Sequence, residues 1–248
     1  MTKYAVLSDI HSNIYALQAV VADAREQNVN GFINLGDILY GPIAPRATYD
    51  YLQELGAITI SGNQDRQIYC SSADEIANNP TMQFILADLG PQPLAWMKAL
   101  PFDLHINEQI YACHGTPQSD LVYLLENVCE GFPKLKSDGE ILAQLNGISS
   151  ALILCGHTHI PRCVELSTGQ LVINPGSVGL PAYRDDDPCH HAMETFSSRA
   201  SYVIIEQQLE QNWQVAFRKV SYDASLAAQK AQNQGRLDWY QALTTGRC

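Results

Sequence analysis

Seven side chains able to donate a lone pair to a metal ion recur at five places in this sequence. They lie in Asp9-Ile10-His11, Gly36-Asp37, Gly62-Asn63-Gln64-Asp65, Cys113-His114-Gly115 and Gly156-His157-Thr158-His159. Each motif follows an apolar run, so each ligand falls where a strand would end. Two Asp, one Asn and four His suit a pair of adjacent divalent ions. Two ions ~3.5–4 Å apart lower the pKa of a shared water and clamp oxyanions between them. The mixture of imidazole and carboxylate suits manganese, iron or zinc and does not choose among them. In an extended segment residues two apart point to the same side. Asp9 with His11, and His157 with His159, are therefore expected to face one site. Taken singly, each residue has an ordinary reading. Asp9 could cap a helix, as could Ser12 or Asn13, and His114 could be a turn residue. Five such motifs in one chain argue for a site.

The elements that must position these residues are legible in the apolar pattern. Tyr4 to Ser8 reads as a strand ending at Asp9. A helix follows from Asn13, with Leu17, Val20, Val21 and Ala24 on one face. Residues 31–35 form a second strand closing on Gly36-Asp37, and 38–45 a loop marked by Gly41-Pro42 and Pro45. A helix over about 47–55 stops at Gly56, and a third strand over 57–61 runs into Gly62-Asn63. This alternation predicts parallel strands with crossover helices. Ligands in such sheets collect beyond the carboxyl ends of the strands, where Asp9, Asp37 and Asn63 fall. Residues 66–101 read as a helical insertion broken by Pro80, Pro91 and Pro93. Further strands are expected at 109–113, 151–155, 171–174 and 201–206, with 213–220 a hairpin partner and 223–243 helical. The whole of 1–248 is expected to be one domain.

The order and content of the motifs resemble the calcineurin-like metallophosphoesterases, binuclear-metal phosphatases and phosphodiesterases, over roughly residues 3–184. The resemblance implies an α/β fold, a four-layer sandwich of two mixed β-sheets flanked by helices. It implies Asp9, His11 and His159 on one ion, Asn63, His114 and His157 on the other, and Asp37 as the shared bridge. It implies hydrolysis of a phosphoester by a metal-bound hydroxide, without a covalent intermediate. A phosphodiester or nucleotide-type phosphoanhydride is the first expectation for the substrate, a small phosphorylated molecule. A serine/threonine protein phosphatase or other phosphomonoesterase is the alternative. A scaffold that has lost catalysis is a third, against which all seven ligand positions speak.

Gln64 departs from the family pattern, which commonly has His at this place. That His is thought to contact the phosphate and protonate the leaving oxygen. Glutamine donates a hydrogen bond but transfers no proton near neutral pH. Losing a general acid costs ~10²–10⁴-fold with a poor leaving group, so Gln64 favours diesters and anhydrides; the other reading is neutral drift in an enzyme with another proton donor. The small bacterial phosphodiesterase branch also tolerates a non-His residue here. Asp65, which orients that His in the family, is left to pair with Arg66 or cap a helix. Asp37, Gln64 and Asp65 form the expected catalytic set. Asn63, Arg66 and Ser177 are the expected substrate contacts, though a solvated side chain is the more ordinary reading of Arg66. Asn174-Pro175-Gly176-Ser177-Val178-Gly179 resembles the segment closing one edge of the site in the bacterial branch; a tight turn is the other reading. Tyr40-Gly41-Pro42 also resembles a bacterial branch. His190-His191 reads as exposed loop after Arg184-Asp185-Asp186-Asp187-Pro188. His105 receives no role, and Trp213, Trp239 and Tyr240 read as core.

Composition bounds the partners. A formal charge of −11 argues against a nucleic-acid surface, which needs basic neutralisation of phosphates. It does not exclude a small phosphate ester, since bound cations reverse the local field. Apolar residues at 46% and charged residues at 17% exclude general disorder. The seven cysteines, without a Cys-x-x-Cys pair, suggest a reducing compartment and no disulfide framework. The N-terminal residues lack an apolar signal core, and no run approaches the ~20 apolar residues of a membrane span. Cytoplasmic location is the expectation.

Overall fold

The computed structural model describes residues 2–208 and 212–248. It opens with β1 (Lys3–Leu7), α1 (Ile14–Glu26), β2 (Gly31–Asn34), α2 (Pro45–Leu55) and β3 (Ile58–Thr59). The helices α3 (Asn63–Cys70), α4 (Ala73–Ala77), α5 (Pro80–Leu89) and α6 (Pro91–Ala99) follow. Next come β4 (Asp103–His105), β5 (Ile110–Cys113), β6 (Glu126–Asn127), β7 (Lys134–Leu135), α7 (Asp138–Leu145) and β8 (Leu152–Leu154). The strands β9 (Arg162–Glu165), β10 (Leu171–Asn174), β11 (Ala182–Asp185), β12 (His191–Glu194), β13 (Ala200–Gln207) and β14 (Trp213–Val220) precede α8 (Ala224–Asn233) and α9 (Leu237–Thr245).

Local signals explain the elements that frame the site. The Asn13 side chain accepts from the Ala16 N–H and starts α1, whose buried face carries Leu17, Val20, Val21 and Ala24. Pro45 opens α2, and Gly56 ends it in the left-handed conformation. Pro80 and Pro91 do not merely interrupt the helical segment; they begin α5 and α6, where a missing N–H costs nothing. The third strand is shorter than expected, two residues in place of 57–61: the Ile60 N–H still donates to the Asn34 carbonyl, but Ser61 turns to the Pro101 carbonyl on the way to the site. The strands β4, β6, β7, β9, β11 and β12 and helix α7 were not expected. The strands are short, and α7 relies on a Ser137–Glu140 capping box.

Two five-stranded sheets form, in the orders β14-β13-β1-β2-β3 and β4-β5-β8-β10-β9. Both are mixed. In the first, β1, β2 and β3 run parallel, and β13 pairs antiparallel with β1 on one side and β14 on the other. In the second, β5, β8 and β10 run parallel between antiparallel edges β4 and β9. Val6, Ile33, Ile60, Ala112, Leu154, Ile173 and Val203 fill the space between the sheets. Opposite faces of the same strands pack outward. Ala5, Leu7, Phe32 and Tyr202 meet α1, α2, α5, α8 and α9, while Tyr111, Ile153 and Val172 meet α7. The result is the expected four-layer α/β sandwich. Two ribbons, β6-β7 and β11-β12, lie outside it. No helix among the described residues is long and apolar enough to cross a membrane.

Candidate metal centre

The carboxyl ends of the parallel strands of both sheets meet at one place. β1 delivers Asp9 and His11, β2 Asp37, β3 Asn63, β5 His114, and β8 His157 and His159. All except Asn63 are buried. Ligand atoms of Asp9, His11 and His159 lie within 4.8 Å of one another, as do those of Asp37, His114 and His157. Asn63 Oδ1 lies 3.0 Å from His114 Nε2, beside the second group.

The pairs two residues apart converge by a different geometry from the extended one the spacing implied. Asp9, His11, Asp37, His157 and His159 all have positive φ, between 50° and 71°. Each such residue costs about 1–2 kcal/mol against its preferred backbone. These turns also separate the partners. His157 joins Asp37 and His159 joins Asp9.

The ring tautomers provide the fit test for metal ions. A carbonyl oxygen only accepts, so the nitrogen facing it must carry the proton. His11 Nδ1–H donates to the Tyr40 carbonyl, His114 Nδ1–H to Leu35 and His159 Nδ1–H to Leu180, at 3.1, 2.7 and 2.6 Å. His157 is turned the other way, with Nε2–H donating to the Leu121 carbonyl at 3.2 Å. Each ring thus presents its second nitrogen to the centre. His11 Nε2 and His159 Nε2 face each other at 3.1 Å, an arrangement of two lone pairs that needs a cation or a shared proton. The buried Asp9 Oδ1 also lacks a hydrogen-bond donor. This donor set fits divalent ions.

Charge coupling is strong. Burial would raise the Asp37 carboxyl, but His114 more than reverses this and holds it well below the carboxylate range. Burial lowers His114 while Asp37, at 3.4 Å, pushes it up to about 10. Asp9 is also lowered, as His159 outweighs its burial. Burial, then repulsion from His159 and His114 respectively, brings His11 and His157 down to about 4. An ion held beside Asp37 would take the place of the His114 proton.

The remaining expected residues are placed as follows. Gln64 lines the cavity above the centre, its Oε1 buried without a partner, and its N–H donates to Asp37 Oδ1 at 2.9 Å. Asp65 does not pair with Arg66. Its oxygens accept from the Ile38 and Gly62 N–H groups at 2.9 and 3.0 Å, bracing the loops that carry Asp37 and Asn63. Burial, then the Asp37 charge, raises it to about 7. Arg66 instead forms a two-pronged pair with Asp120 at 2.8 Å and is not among the residues lining the cavity. Ser177 is buried. Its hydroxyl donates to the Asp9 carbonyl and accepts from the Leu180 N–H, both at 2.8 Å. The Gly179 N–H donates to the same Asp9 carbonyl at 3.0 Å. A Cβ on Gly179 would run into the Ile10 carbonyl. Gly179→Ala is expected to cost about 2–3 kcal/mol, lowering Tm by roughly 5–10 °C. An unchanged Tm would mean this loop yields freely.

A cavity of about 430 Å³ opens onto the centre. Tyr40, Leu180 and β11 residues Tyr183, Arg184 and Asp185 line it, together with Arg236, Asp238, Trp239 and Gln241 of the C-terminal region. Apart from Tyr40, which belongs to Tyr40-Gly41-Pro42, the residues of this wall lie in no motif, so the pattern carried no sign of it. Trp239 is core, as expected, but its indole also meets the His11 ring edge-on at 5.7 Å. Tyr240, expected in the core, is exposed, because it occupies the outer side of α9. His190 and His191 separate. His190 is exposed, whereas His191 is buried on β12 against Tyr123.

Comparison with known proteins agrees with this geometry. A family model described as the calcineurin-like phosphoesterase superfamily domain matches residues 2–199. An uncharacterised protein of Methanocaldococcus jannaschii is 26% identical over 258 residues, covering 95% of this chain and 94% of its own. The fold is similar to that of a metallophosphoesterase from Sphaerobacter thermophilus, with a TM-score of 0.75 at 23% identity over 99% of this chain and 100% of that one. It is also similar to a hypothetical protein from Pyrococcus horikoshii, with a TM-score of 0.77 at 18% identity over 99% of both chains. With its ligand motifs at the strand ends of two facing mixed sheets, the chain belongs to the calcineurin-like phosphoesterase superfamily.

Proposed function

We propose that the protein hydrolyses a phosphodiester or a nucleotide-type phosphoanhydride of a small molecule, using two divalent ions. The observation that carries this reading is the set of four imidazoles, each pinned by one N–H to a backbone carbonyl so that its free nitrogen faces the carboxylates. Asp9, His11 and His159 would hold one ion; His114, His157 and Asn63 would hold the other, with Asp37 shared. Such ions supply an activated water and polarise the phosphoryl oxygens. The protein's own groups do the rest. Asp65 and Ser177 fix the loops, the Gln64 amide offers hydrogen bonding at the mouth, and Tyr183 and Trp239 exclude water from the two imidazoles they pack on. The cavity suits a small substrate, and the absence of an imidazole at position 64 supports a good leaving group. Residues from both sheets' strand ends and from the last helix contribute to this one cavity, which supports reading residues 1–248 as a single catalytic domain.

The test is turnover by the purified protein reconstituted separately with manganese, iron and zinc. The panel holds a nitrophenyl diester, a nitrophenyl monoester, a dinucleoside polyphosphate and a phosphoserine peptide. We expect the diester or the anhydride to be cleaved fastest. A preference for the phosphopeptide would favour a protein phosphatase instead. Metal-loaded protein inert towards the whole panel would support a non-catalytic scaffold.

A further inference from the structure

Two thiols sixty residues apart in sequence meet on the outer side of the cavity wall. Cys189, in the turn between β11 and β12, donates its S–H to Cys129, in the loop after β6, with the sulfurs 3.0 Å apart. Cys129 is exposed and Cys189 half-buried, so solutes reach the pair. Access is what sets the pair apart: the Cys189 thiol is raised by its bond to Cys129 yet stays within reach of solutes, whereas Cys113 and Cys155 are enclosed and pushed up by burial. The loops carrying Cys129 and Cys189 are already docked. The Ala192 N–H donates to the Gly131 carbonyl at 3.2 Å, and Val128, Tyr123 and Met193 form a small core beneath them.

From Cys189 a line of polar contacts runs inward towards the metal centre, in which the single Tyr183 O–H proton serves either Tyr123 Oη or the His157 carbonyl. His191 Nδ1–H donates to the Cys189 carbonyl at 2.6 Å, which leaves its Nε2 to accept from the Tyr123 hydroxyl at 3.0 Å. Tyr183 Oη lies 3.0 Å from both Tyr123 Oη and the His157 carbonyl. The Tyr123 ring packs on His157 at 4.7 Å and the Tyr183 ring on His159 at 4.5 Å. The hairpin that turns at Cys189 therefore carries the Tyr183 ring packed on His159, and its His191 holds the Tyr123 that packs on His157.

We propose that Cys129 and Cys189 form a redox-modification site, where a peroxide converts the dithiol to a disulfide that staples the β11–β12 hairpin to the loop after β6. Cys129, the exposed acceptor, attacks one peroxide oxygen as the thiolate; the O–O bond breaks, and the first water leaves. The Cys189 sulfur then attacks the Cys129 sulfenic acid, the S–O bond breaks, and the second water leaves with the Cys189 proton. Two thiols lose two electrons and one peroxide becomes two waters. The crosslink removes chain freedom across a long loop and stiffens Tyr183, Arg184 and Asp185 where they line the cavity.

The experiment compares the full-length protein reduced and after hydrogen peroxide, using peptide mass mapping without reductant and amide hydrogen exchange. The expected result is a Cys129–Cys189 linked peptide, two fewer titratable thiols and exchange over residues 182–194 slowed ~10-fold or more. Dithiothreitol should reverse all three changes. Cys129→Ser, at an exposed position, and Cys189→Ser should each lose the linked peptide and the protection. Sulfinic acids, chain-to-chain links or a different internal pair in place of the linked peptide would overturn the site. A linked peptide with unchanged exchange would overturn the stiffening, and so would protection that persists in Cys129→Ser.

Discussion

Asp37→Asn is expected to lower kcat/KM by at least ~10³-fold, the largest effect of any single substitution at the centre. The change is nearly isosteric, so packing is preserved. Charge is not. Asp37 is buried, receives the Gln64 N–H on one oxygen and faces His114 Nε2 with the other. The amide can keep the first bond, but it offers no anion to a cation. It also removes the group that raises His114, so that imidazole would lose its proton more easily in the ion-free protein. Linkage gives the sign. A histidine raised in the fold contributes stability that is complete below its unfolded pKa and is lost as pH rises through about 10. Asp37→Asn removes that contribution at neutral pH, so ion-free variant protein should melt lower than ion-free wild type. The check is kcat/KM and metal content measured on the same samples, with Tm alongside. Near-normal turnover in folded, metal-quantified variant would refute the shared carboxylate, and with it the two-ion reading.

The ligand motifs were readable because each needs a particular donor at a strand end, and apolar runs announce strand ends. Asp9, Asp37, Asn63, His114 and the His157–His159 pair all sit where that logic puts them. How they converge was not readable. The left-handed backbone at Asp9, His11, Asp37, His157 and His159 belongs to residues that normally avoid it, and only the surrounding fold holds it there. The four carbonyls that fix the tautomers, at Leu35, Tyr40, Leu121 and Leu180, carry no side-chain signal at all. Ser177 shows a related limit. Its sequence context pointed to the edge of the site, while its hydroxyl spends both roles on backbone beneath Asp9. The cavity wall was missed because Tyr183 comes from a short outlying ribbon and Trp239 and Gln241 from the last helix. Apolar periodicity assigns such residues to core or surface and cannot say that they border a cavity.

Gln64→His is expected to raise kcat/KM for an alkyl monoester such as glycerol phosphate by ~10–10²-fold, with little change for a nitrophenyl diester. The reason is the leaving group. A nitrophenolate departs without a proton, whereas an alkoxide needs one in the transition state. Position 64 lies at the cavity mouth with its backbone tied to Asp37, so an imidazole there would reach the same space as the present amide. The size of the gain depends on Asp65. Its Oδ1 already accepts from Ile38 and Leu39, while Oδ2 accepts only from Gly62 and keeps a lone pair that can receive an imidazole N–H. Its tendency to hold a proton near pH 7 works against that, which is why the expected gain lies below the full worth of a general acid. Both proteins are measured on both substrates under one manganese loading. Wild type should show a steep dependence of rate on leaving-group pKa, and the variant a shallower one. If the substitution changes the two substrates equally, the residue at 64 acts by packing or phosphate contact, and the preference for diesters loses its chemical basis.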